Sequence, residues 1–484
     1  MHAPETSRHR DAGAVDAGPN SGEPDVIVGP LSAWVLQLRY EDLPREVIER
    51  AKHLIIDSIG CALGSTGAEP VRIAHEMAAE VAATGNARTA TLLATGKPTT
   101  VEMAAFANGV MVRYLDFNDT YTGQGTIHPS DMLAPALAVA QGCGSSGKEL
   151  LLATVIGYEV ICALTDSDLV MHPVGTTLWD QATFGVVSAA ALCARLMQMT
   201  HAQTVNAISL ALVSHMALGQ TRVGEVSHWK GAALPNAARN AIFCARLAQK
   251  GMTGPEQVFE GSRGFFLAAG KSIAPLDLGG PGKPFRIMRT RVKAYPCGYH
   301  AQSAIDAALQ LRSQIKQVED IEHIRLDTFA AAVRAMATSD SCWKPETRES
   351  ADHSIPFTIA MALMHGELSI EHYERERFKD ADVRDLMRKI EVRLGEESEK
   401  AWPDIPLSEL RVRLHDGIEH AARVSFHLGH FKCPMSDAQQ ESKFKALAAG
   451  CGMRPQQAES LIAALRRLET HESLSEILSL CTVH

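Results

Sequence analysis

A short polar connection between two apolar segments contains the residues best suited by type and spacing to acid–base chemistry. Residues 115–120, of sequence LDFNDT, end one apolar run, and residues 128–131, of sequence HPSD, open the next. A histidine near a carboxylate can serve as a general acid or base, because the histidine pKa lies close to neutrality. We therefore predict that Asp116 and His128 form a proton-transfer pair.

Helix capping is the alternative interpretation of the same connection. Asp119 and Thr120 would end one helix, and Ser130 or Asp131 would cap the next one. Capping accounts well for Ser130 and Asp131, but it gives no reason for a carboxylate at position 116 or a histidine at position 128. Both interpretations stay open at this point.

Three other motifs contain residue types that occur in known functional sites. Each of them lacks part of the pattern that its kind of site requires. Residues 227–230 (SHWK) match the Ser-x-x-Lys acylation motif, but its partner motifs Ser-Asp-Asn and Lys-Thr-Gly are absent. His427, His430 and Cys433 could bind zinc, yet a spacing of three does not place side chains on one face of a strand. Residues 279–283 lack the Gly-Lys-Ser/Thr ending of a phosphate loop, so we interpret them as a linker.

The composition excludes several classes of protein. The chain has 484 residues and a net charge of -9, which argues against nucleic-acid binding because phosphate contact needs a basic surface. Its 10 cysteines include no Cys-x-x-Cys pair, so we expect reduced thiols in a cytoplasmic protein and no iron–sulfur cluster. The most apolar stretch, residues 150–164, is too short to span a bilayer and contains a glutamate, so we expect no membrane association.

The elements that must position the polar connection are predicted to be helices. Apolar periodicity predicts helices at residues 101–115, 132–141, 148–164, 183–199 and 202–218, and no strand between residues 32 and 269. Thr200 and Gln203 predict a capping box at the start of the last of these helices.

The pattern changes after residue 275. Alternating apolar residues predict strands near 324–328, 390–394 and 410–414, and the pair at 416–417 (DG) predicts a hairpin turn before a returning strand. We therefore predict a mainly α protein with a large multihelical domain and a smaller α+β lid domain. The predicted boundaries are a disordered leader at 1–25, an all-helical domain at 26–274 completed by 435–484, and the lid at 275–434.

Several ordered segments resemble the MmgE/PrpD family. They are residues 114–121 with 128–131, residues 293–302 (KAYPCGYHAQ), residues 347–356 (TRESADHSIP), and a closing segment that includes Asp437 and Lys443. The resemblance covers the chain from about residue 30 to its C-terminus. It implies a multihelical domain with an α+β lid, in agreement with the pattern described above.

The resemblance implies chemistry on small carboxylates but leaves the reaction open. The family contains 2-methylcitrate dehydratases, cis-aconitate decarboxylases and an iminodisuccinate epimerase. Twelve positions separate Asp116 from His128, and this spacing, with His300 and Gln302, resembles the dehydratases. Gln181 in a Trp-Asp-Gln segment replaces a family histidine, which leaves the substrate open. The leading hypothesis is a hydro-lyase acting on a 2-methylcitrate-like tricarboxylate, followed by an isomerase and then a decarboxylase.

The same resemblance implies the residues of the site. Breaking a bond alpha to a carboxylate develops negative charge, which cations in a water-poor cleft must oppose; Lys230 and Lys293 resemble the family's cleft lysines. His353 has an alternative interpretation as a structural hydrogen-bond partner at a helix start. The predicted catalytic residues are Asp116, His128, Lys230 and His300. The predicted substrate-binding residues are Asn118, Thr120, Asp180, Gln181, Lys293, Tyr295 and His353.

No cofactor and no metal ion are expected, because the sequence offers no convincing set of ligands. The expected partners are a small carboxylate substrate and a second copy of the chain. The resemblance implies a homodimer formed through the helical domain, where small-residue runs such as residues 188–194 would allow close helix packing.

Overall fold

Small residues and regular apolar spacing produce a molecule made mainly of helices, as predicted. The computed structural model describes residues 25–81, 88–169, 178–222 and 226–483, so the predicted leader lies, apart from Asp25, outside the described residues. None of the helices in these ranges is both long and apolar enough to cross a membrane. The helices of the first part are α1 Val28–Gln37, α2 Arg45–Gly64, α3 Glu69–Ala79, α4 Val101–Tyr114, α5 Leu133–Cys143, α6 Gly147–Asp166, α7 Ala182–Leu196, α8 His201–Ser214, α9 Trp229–Gln249 and α10 Phe265–Ala269.

Helix α7 lies at the centre of this part and packs against α6, α8 and α9. Residues 188–194 of α7 are fully buried within the single chain. A Cβ atom at Gly185 would lie 2.8 Å from a side-chain carbon of Leu234 on α9, so glycine is needed for this close approach. The small residues of α7 therefore allow close helix packing within one subunit. The homodimer itself stays a prediction.

Two short antiparallel hairpins interrupt the helical part. They are β1 Thr89–Thr91 with β2 Pro98–Thr100, and β3 Tyr121–Thr122 with β4 Thr126–Ile127. The prediction that no strand occurs between residues 32 and 269 is therefore wrong. The second hairpin links the end of α4 to the 3₁₀ turn Pro129–Met132 that precedes α5, and so it shapes the polar connection.

The smaller part has a four-stranded sheet in the order β6-β5-β7-β8. Strand β5 is parallel to β6 and antiparallel to β7, and β7 pairs with β8 in the predicted hairpin. Its buried side chains form a core separate from that of the helical part. The strands are β5 Ile321–Thr328, β6 Ile390–Leu394, β7 Ser408–Leu414 and β8 Glu419–Val424. The helices are α11 Gln302–Arg312, α12 Ala330–Met336, α13 Asp340–Trp343, α14 Arg348–Ala351, α15 Ile355–His365, α16 Ile370–Glu374, α17 Ala381–Arg388 and α18 Glu396–Ala401.

The last helices return to the helical part. They are α19 Asp437–Gly450, α20 Pro455–Arg466 and α21 Ser475–Leu480. Helix α19 packs along α2, where Gly60 faces Phe444 and Gly64 faces Leu447. A Cβ atom at Gly64 would lie 2.6 Å from a Leu447 methyl carbon, so the two helices need a glycine at this crossing.

Candidate active site

A buried ionic cluster surrounds Asp116, where helix α4 ends. Leu115 caps α4, and Asp116 has a left-handed backbone with φ 49°. A residue with a Cβ atom adopts this conformation at a cost of about 1–2 kcal/mol, so the surrounding contacts must hold it in place. The turn directs the Asp116 side chain toward Arg113 of α4 and toward basic groups from two other parts of the chain.

Three cations hold the Asp116 carboxylate. Its Oδ1 accepts hydrogen bonds from Arg113 (2.6 Å) and Lys293 (2.6 Å), and its Oδ2 accepts one from Lys230 (3.2 Å). The Lys293 ammonium also donates to the Asp116 carbonyl oxygen at 2.7 Å. Burial alone would raise the pKa of the Asp116 carboxyl, but Lys230, Lys293 and Arg113 outweigh burial and hold this pKa well below its usual range. Asp116 is therefore ionised at neutral pH and is a weak proton acceptor.

The segment after α14 adds Asp352 and His353 to the cluster. The Asp352 Oδ1 atom accepts from the Lys230 ammonium at 3.1 Å and lies 2.5 Å from His353 Nδ1. At this distance from a carboxylate, Nδ1 must carry a hydrogen, so the lone pair of the neutral ring is on Nε2. Burial and then the Lys230 charge lower the pKa of His353. A neutral imidazole oriented by a carboxylate has the arrangement of a general base.

His353 is also the member of this cluster most accessible to solvent. Its side chain is 27 % exposed, against 2 % for Asp116 and 6 % for Lys230. Its Nε2 atom lies 3.5 Å from Asp116 Oδ2. Because the carboxylates are covered and already paired, a substrate entering the site would meet the His353 ring before it met either acid.

His128 belongs to the neighbouring β3–β4 hairpin and has other partners. Its Nδ1 donates to the Asp119 carbonyl oxygen at 2.8 Å and lies 3.3 Å from the Thr120 hydroxyl. Nε2 therefore keeps the lone pair. Burial, together with the Arg113 and Lys293 charges, holds the pKa of His128 well below its usual range. Within the described residues, no hydrogen bond or ion pair joins His128 to Asp116, so their pairing in proton transfer stays a prediction.

The remaining polar residues of the connection tie its two ends together. Asp119 accepts from the Ser130 backbone amide (2.9 Å) and the Tyr158 hydroxyl (2.8 Å), and Asn118 donates to the Ser130 hydroxyl (2.9 Å). Helix α5 begins at Leu133 without a side-chain cap, and the preceding 3₁₀ turn has none either. The capping interpretation of Ser130 and Asp131 is therefore wrong. Burial raises the pKa of Asp119 to about 6.

The backbone of Thr120 connects the hairpin to the segment that contains Lys293. Thr120 and Arg291 exchange two backbone hydrogen bonds of 2.8 Å each. Two residues after Arg291, the fully buried Lys293 side chain reaches Asp116. The predicted residues Asn118, Thr120 and Lys293 are thus brought to one region by the hairpin and this pairing.

The structure places His300 and Tyr295 at the α+β side of the site. The His300 ring packs against Tyr299, Phe329 and Trp402, and burial, then the His353 and Lys293 charges, lower its pKa to about 3. The Tyr295 hydroxyl instead donates to Asp306.

Asp180 and Gln181 lie at the start of α7. Asp180 pairs with Arg222 at 2.7 Å and accepts from the Ala182 backbone amide at 3.1 Å. Gln181 is the residue that precedes α7, and its buried Oε1 has no hydrogen-bond partner in the described part of the chain. Asp180 is therefore already engaged in a structural pair, whereas the Gln181 amide oxygen has capacity for a further donor.

Sequence reasoning assigned no role in the site to three charged residues. Arg113 lies one helical turn before Asp116 and just outside the segment 114–121, whereas Asp352 lies beside His353 within the segment 347–356. Asp131 is buried, and its Oδ2 is 3.9 Å from Arg113 Nε. Burial raises the pKa of Asp131 to about 7. The signal available from sequence was the density of charge next to the motifs, but charge density does not show which charges pair.

One group of ligand atoms could hold a metal ion. The side-chain ligand atoms of Asp116, Asp352 and His353 lie within 4.8 Å of one another, and no other such group occurs in the described ranges. The Lys230 ammonium lies 3.2, 3.1 and 3.0 Å from these residues, so a positive charge already sits between them. A divalent ion would have to displace Lys230.

Comparisons with known proteins identify families and relatives that resemble the chain. Family models described as the MmgE/PrpD N-terminal domain and the MmgE/PrpD C-terminal domain match residues 29–274 and 295–469. The chain is 24% identical to cis-aconitate decarboxylase of Mus musculus over 455 residues, or 90% of each chain. It is 29% identical to 2-methylcitrate dehydratase of Escherichia coli over 318 residues, or 59% of this chain and 61% of that one. It is 27% identical to 2-methylcitrate dehydratase of Cupriavidus necator over 73% of this chain and 74% of that one.

Proposed function

The chain belongs to the MmgE/PrpD family, and we propose that it is a hydro-lyase resembling 2-methylcitrate dehydratase. We also propose that this chain acts without a metal or organic cofactor. Family members named as dehydratases and decarboxylases are lyases that act on small carboxylates. The observation that carries the proposal is the cluster in which Arg113, Lys230 and Lys293 surround Asp116 beside the His353–Asp352 pair.

Lys230 and Lys293 are proposed to bind the substrate carboxylates. Lys293 donates two hydrogen bonds to Asp116, and Lys230 donates one each to Asp116 and Asp352. An ammonium has three N–H donors. The third Lys230 donor lies 3.0 Å from His353 Nδ1, whereas Lys293 retains one donor without an acceptor among the described residues. Both ammonium groups lie in a buried region, where a charge-assisted hydrogen bond to a carboxylate is strong.

His353 is proposed to remove the proton from the carbon alpha to a carboxylate. Its Nδ1–H is held by Asp352, which leaves Nε2 as the acceptor, and its lowered pKa keeps the ring neutral at pH 7. The electron pair of the broken C–H bond forms the carbon–carbon double bond as the hydroxyl on the adjacent carbon leaves. The proton taken by His353 can then pass to this hydroxyl, so that the products are an alkene and water.

The other two histidines are also suited to accept protons. Burial, followed by nearby cations, lowers the pKa of His128 and that of His300. These rings are neutral at pH 7 and cannot act as imidazolium acids at the start of a reaction. Decarboxylation requires a proton to be delivered to carbon, whereas dehydration begins with proton removal. Neutral histidines are therefore suited to proton removal, the first step of dehydration.

A decarboxylase resembling cis-aconitate decarboxylase is the second candidate. The observation in its favour is coverage, since the mouse decarboxylase aligns over 90% of each chain and the Escherichia coli dehydratase over 59% of this chain. Isomerisation uses the same first step, but the proton returns to carbon on the opposite face.

One NMR experiment separates these reactions. The protein is incubated in separate samples with 2-methylcitrate, citrate, cis-aconitate and iminodisuccinate in deuterated buffer. We expect 2-methylcitrate to give an alkene with loss of water. Lys293→Met should abolish this conversion, and the exposed Lys283→Met should not change it.

The other outcomes identify the alternatives. Loss of CO₂ from cis-aconitate with no dehydration of 2-methylcitrate would support the second candidate. Deuterium incorporation with inversion of iminodisuccinate would indicate an isomerase. No reaction with any of the four acids would contradict the proposal.

A further inference from the structure

Lys443 on helix α19 binds backbone carbonyl groups next to the ionic cluster. Its ammonium donates to Asp57 Oδ1 (2.6 Å), the Phe117 carbonyl oxygen (2.9 Å) and the Lys293 carbonyl oxygen (3.0 Å). It also lies 3.8 Å from the centre of the Phe117 ring. Because an ammonium has three N–H donors, Lys443 has none left for a substrate. Its contribution must come from the groups that it holds.

The two carbonyl groups held by Lys443 belong to the parts of the site that must stay aligned. One is the carbonyl of Lys293, whose own ammonium binds Asp116. The other is the carbonyl of Phe117, the residue directly after Asp116. Asp116 is the residue with the left-handed backbone. Lys293 binds the Asp116 carbonyl at 2.7 Å, so two ammonium groups hold consecutive carbonyls of the same strained turn.

Asp57 on α2 holds Lys443 in this position. The side chains of Asp57 and Lys443 are both buried, and Asp57 Oδ2 has no hydrogen-bond partner in the ranges that the structure describes. A buried carboxylate without its cation is strongly unfavourable, so the two side chains depend on each other. The pair therefore links α2, α19, the turn at Asp116 and the segment of Lys293.

We propose that Lys443, held by Asp57, is a positioning residue that fixes the separation between Asp116 and Lys293 in the active site. The activity test of this proposal rests on the proposed function. The contacts of Lys443 and Asp57 do not depend on which substrate binds. Among the described residues, Lys443 has no hydrogen bond to a side chain proposed to contact substrate; it binds the backbone carbonyls of Lys293 and Phe117.

Three variants test this role by steady-state kinetics with 2-methylcitrate. We call the hydrogen bonds from Lys443 to the Phe117 and Lys293 carbonyl groups the clamp. Lys443→Met removes the clamp and leaves Asp57 unpaired. The double variant Lys443→Met/Asp57→Asn removes the clamp without leaving a buried charge. Lys445→Met is the matched control, because Lys445 lies on the same helix, is half exposed and pairs with Glu459.

We expect kcat to fall about 10²-fold in both Lys443 variants, because a displacement of about 1 Å in a catalytic group has an effect of this size. KM should change much less, since the Lys293 charge is retained. The melting temperature should fall in the single variant and recover in the double variant, while kcat stays low in both. A double variant with recovered stability and wild-type kcat would overturn the proposal.

Hydrogen–deuterium exchange of the free protein provides a measurement that does not depend on turnover. We expect amides within residues 114–122 to exchange about tenfold faster in the double variant than in the wild type or in Lys445→Met. Unchanged exchange in this segment would overturn the positioning role. If the wild type dehydrates no acid but the segment exchanges faster in the double variant, the proposed function fails and the clamp stands.

Discussion

Replacing Asp116 with asparagine tests whether this carboxylate is the central counter-charge of the buried cluster. The change keeps the shape of the side chain but removes the negative charge shared by Arg113, Lys230 and Lys293. Lys230 would keep Asp352 as a partner, whereas Lys293 would have no acid within salt-bridge distance in the described residues. Removing one partner of a buried ion pair costs about 3–5 kcal/mol, so we expect the free energy of unfolding to fall by about this amount.

The same variant should change the pH dependence of kcat/KM in a defined direction. Asp116 raises the pKa of His353, opposing the effects of burial and Lys230. Without Asp116 the pKa of His353 falls further, so the acid limb of the profile should move to lower pH. Urea denaturation gives the unfolding free energy, and initial rates between pH 5 and 8 give the profile. Asp277→Asn, which alters an exposed ion pair with Lys283, is the control. It should change neither the free energy of unfolding nor the pH profile.

Two outcomes would refute this reasoning. An unfolding free energy within about 1 kcal/mol of the wild type would mean that Asp116 is not the group that balances the cations. An acid limb that disappears, instead of moving, would mean that Asp116 itself is the group whose ionisation the profile reports.

Three further changes test the separate roles of the site residues. His353→Gln should lower kcat by about 10²–10⁴-fold with little change in melting temperature, and a fully active variant would contradict its role as the base. Lys230→Met should lower kcat and also weaken substrate binding, measured by calorimetry with 2-methylcitrate, because its charge opposes a carboxylate before and during the reaction; unchanged affinity would contradict this. Burial raises the pKa of Asp131 to about 7, so the folded state keeps a proton that the unfolded state loses near pH 4. The free energy of unfolding of the wild type, relative to that of Asp131→Asn, should therefore fall by about 1.4 kcal/mol per pH unit as the pH rises between these values. Urea denaturation at several pH values measures both free energies, and the same pH dependence in the two proteins would contradict this prediction.

The helices could be predicted from the sequence because their signals are local. The predicted helix at 101–115 is found as Val101–Tyr114, and the capping box of Thr200 and Gln203 is confirmed at the start of α8. The hairpin of β3 and β4 could not be predicted, because strands of two residues are too short to show alternation. Its position depends on the backbone pairing of Thr120 with Arg291, which are 171 positions apart in the sequence.

The polar residues of the site could be identified from the sequence, but their partners could not. Asp116 and His128 lie in one short connection, which suggested a pair. In the structure the His128 ring donates to the Asp119 carbonyl, and Asp116 is held by residues from α4, α9 and the segment of Lys293. Which residues pair depends on how segments that are distant in the sequence pack together. Hydrophobic periodicity carries no information about that packing.

The charges of the cluster are consistent with the proposed removal of a proton from an anionic substrate. Asp116 is surrounded by Arg113, Lys230 and Lys293, while the acids able to neutralise them are already shared. A substrate carboxylate therefore supplies negative charge where positive charge is in excess. The same cations, together with burial, keep the nearby histidines neutral, so they are ready to accept a proton when the substrate arrives. In the proposed reaction, lysine donors that are already in place would stabilise the negative charge that develops as the proton leaves carbon.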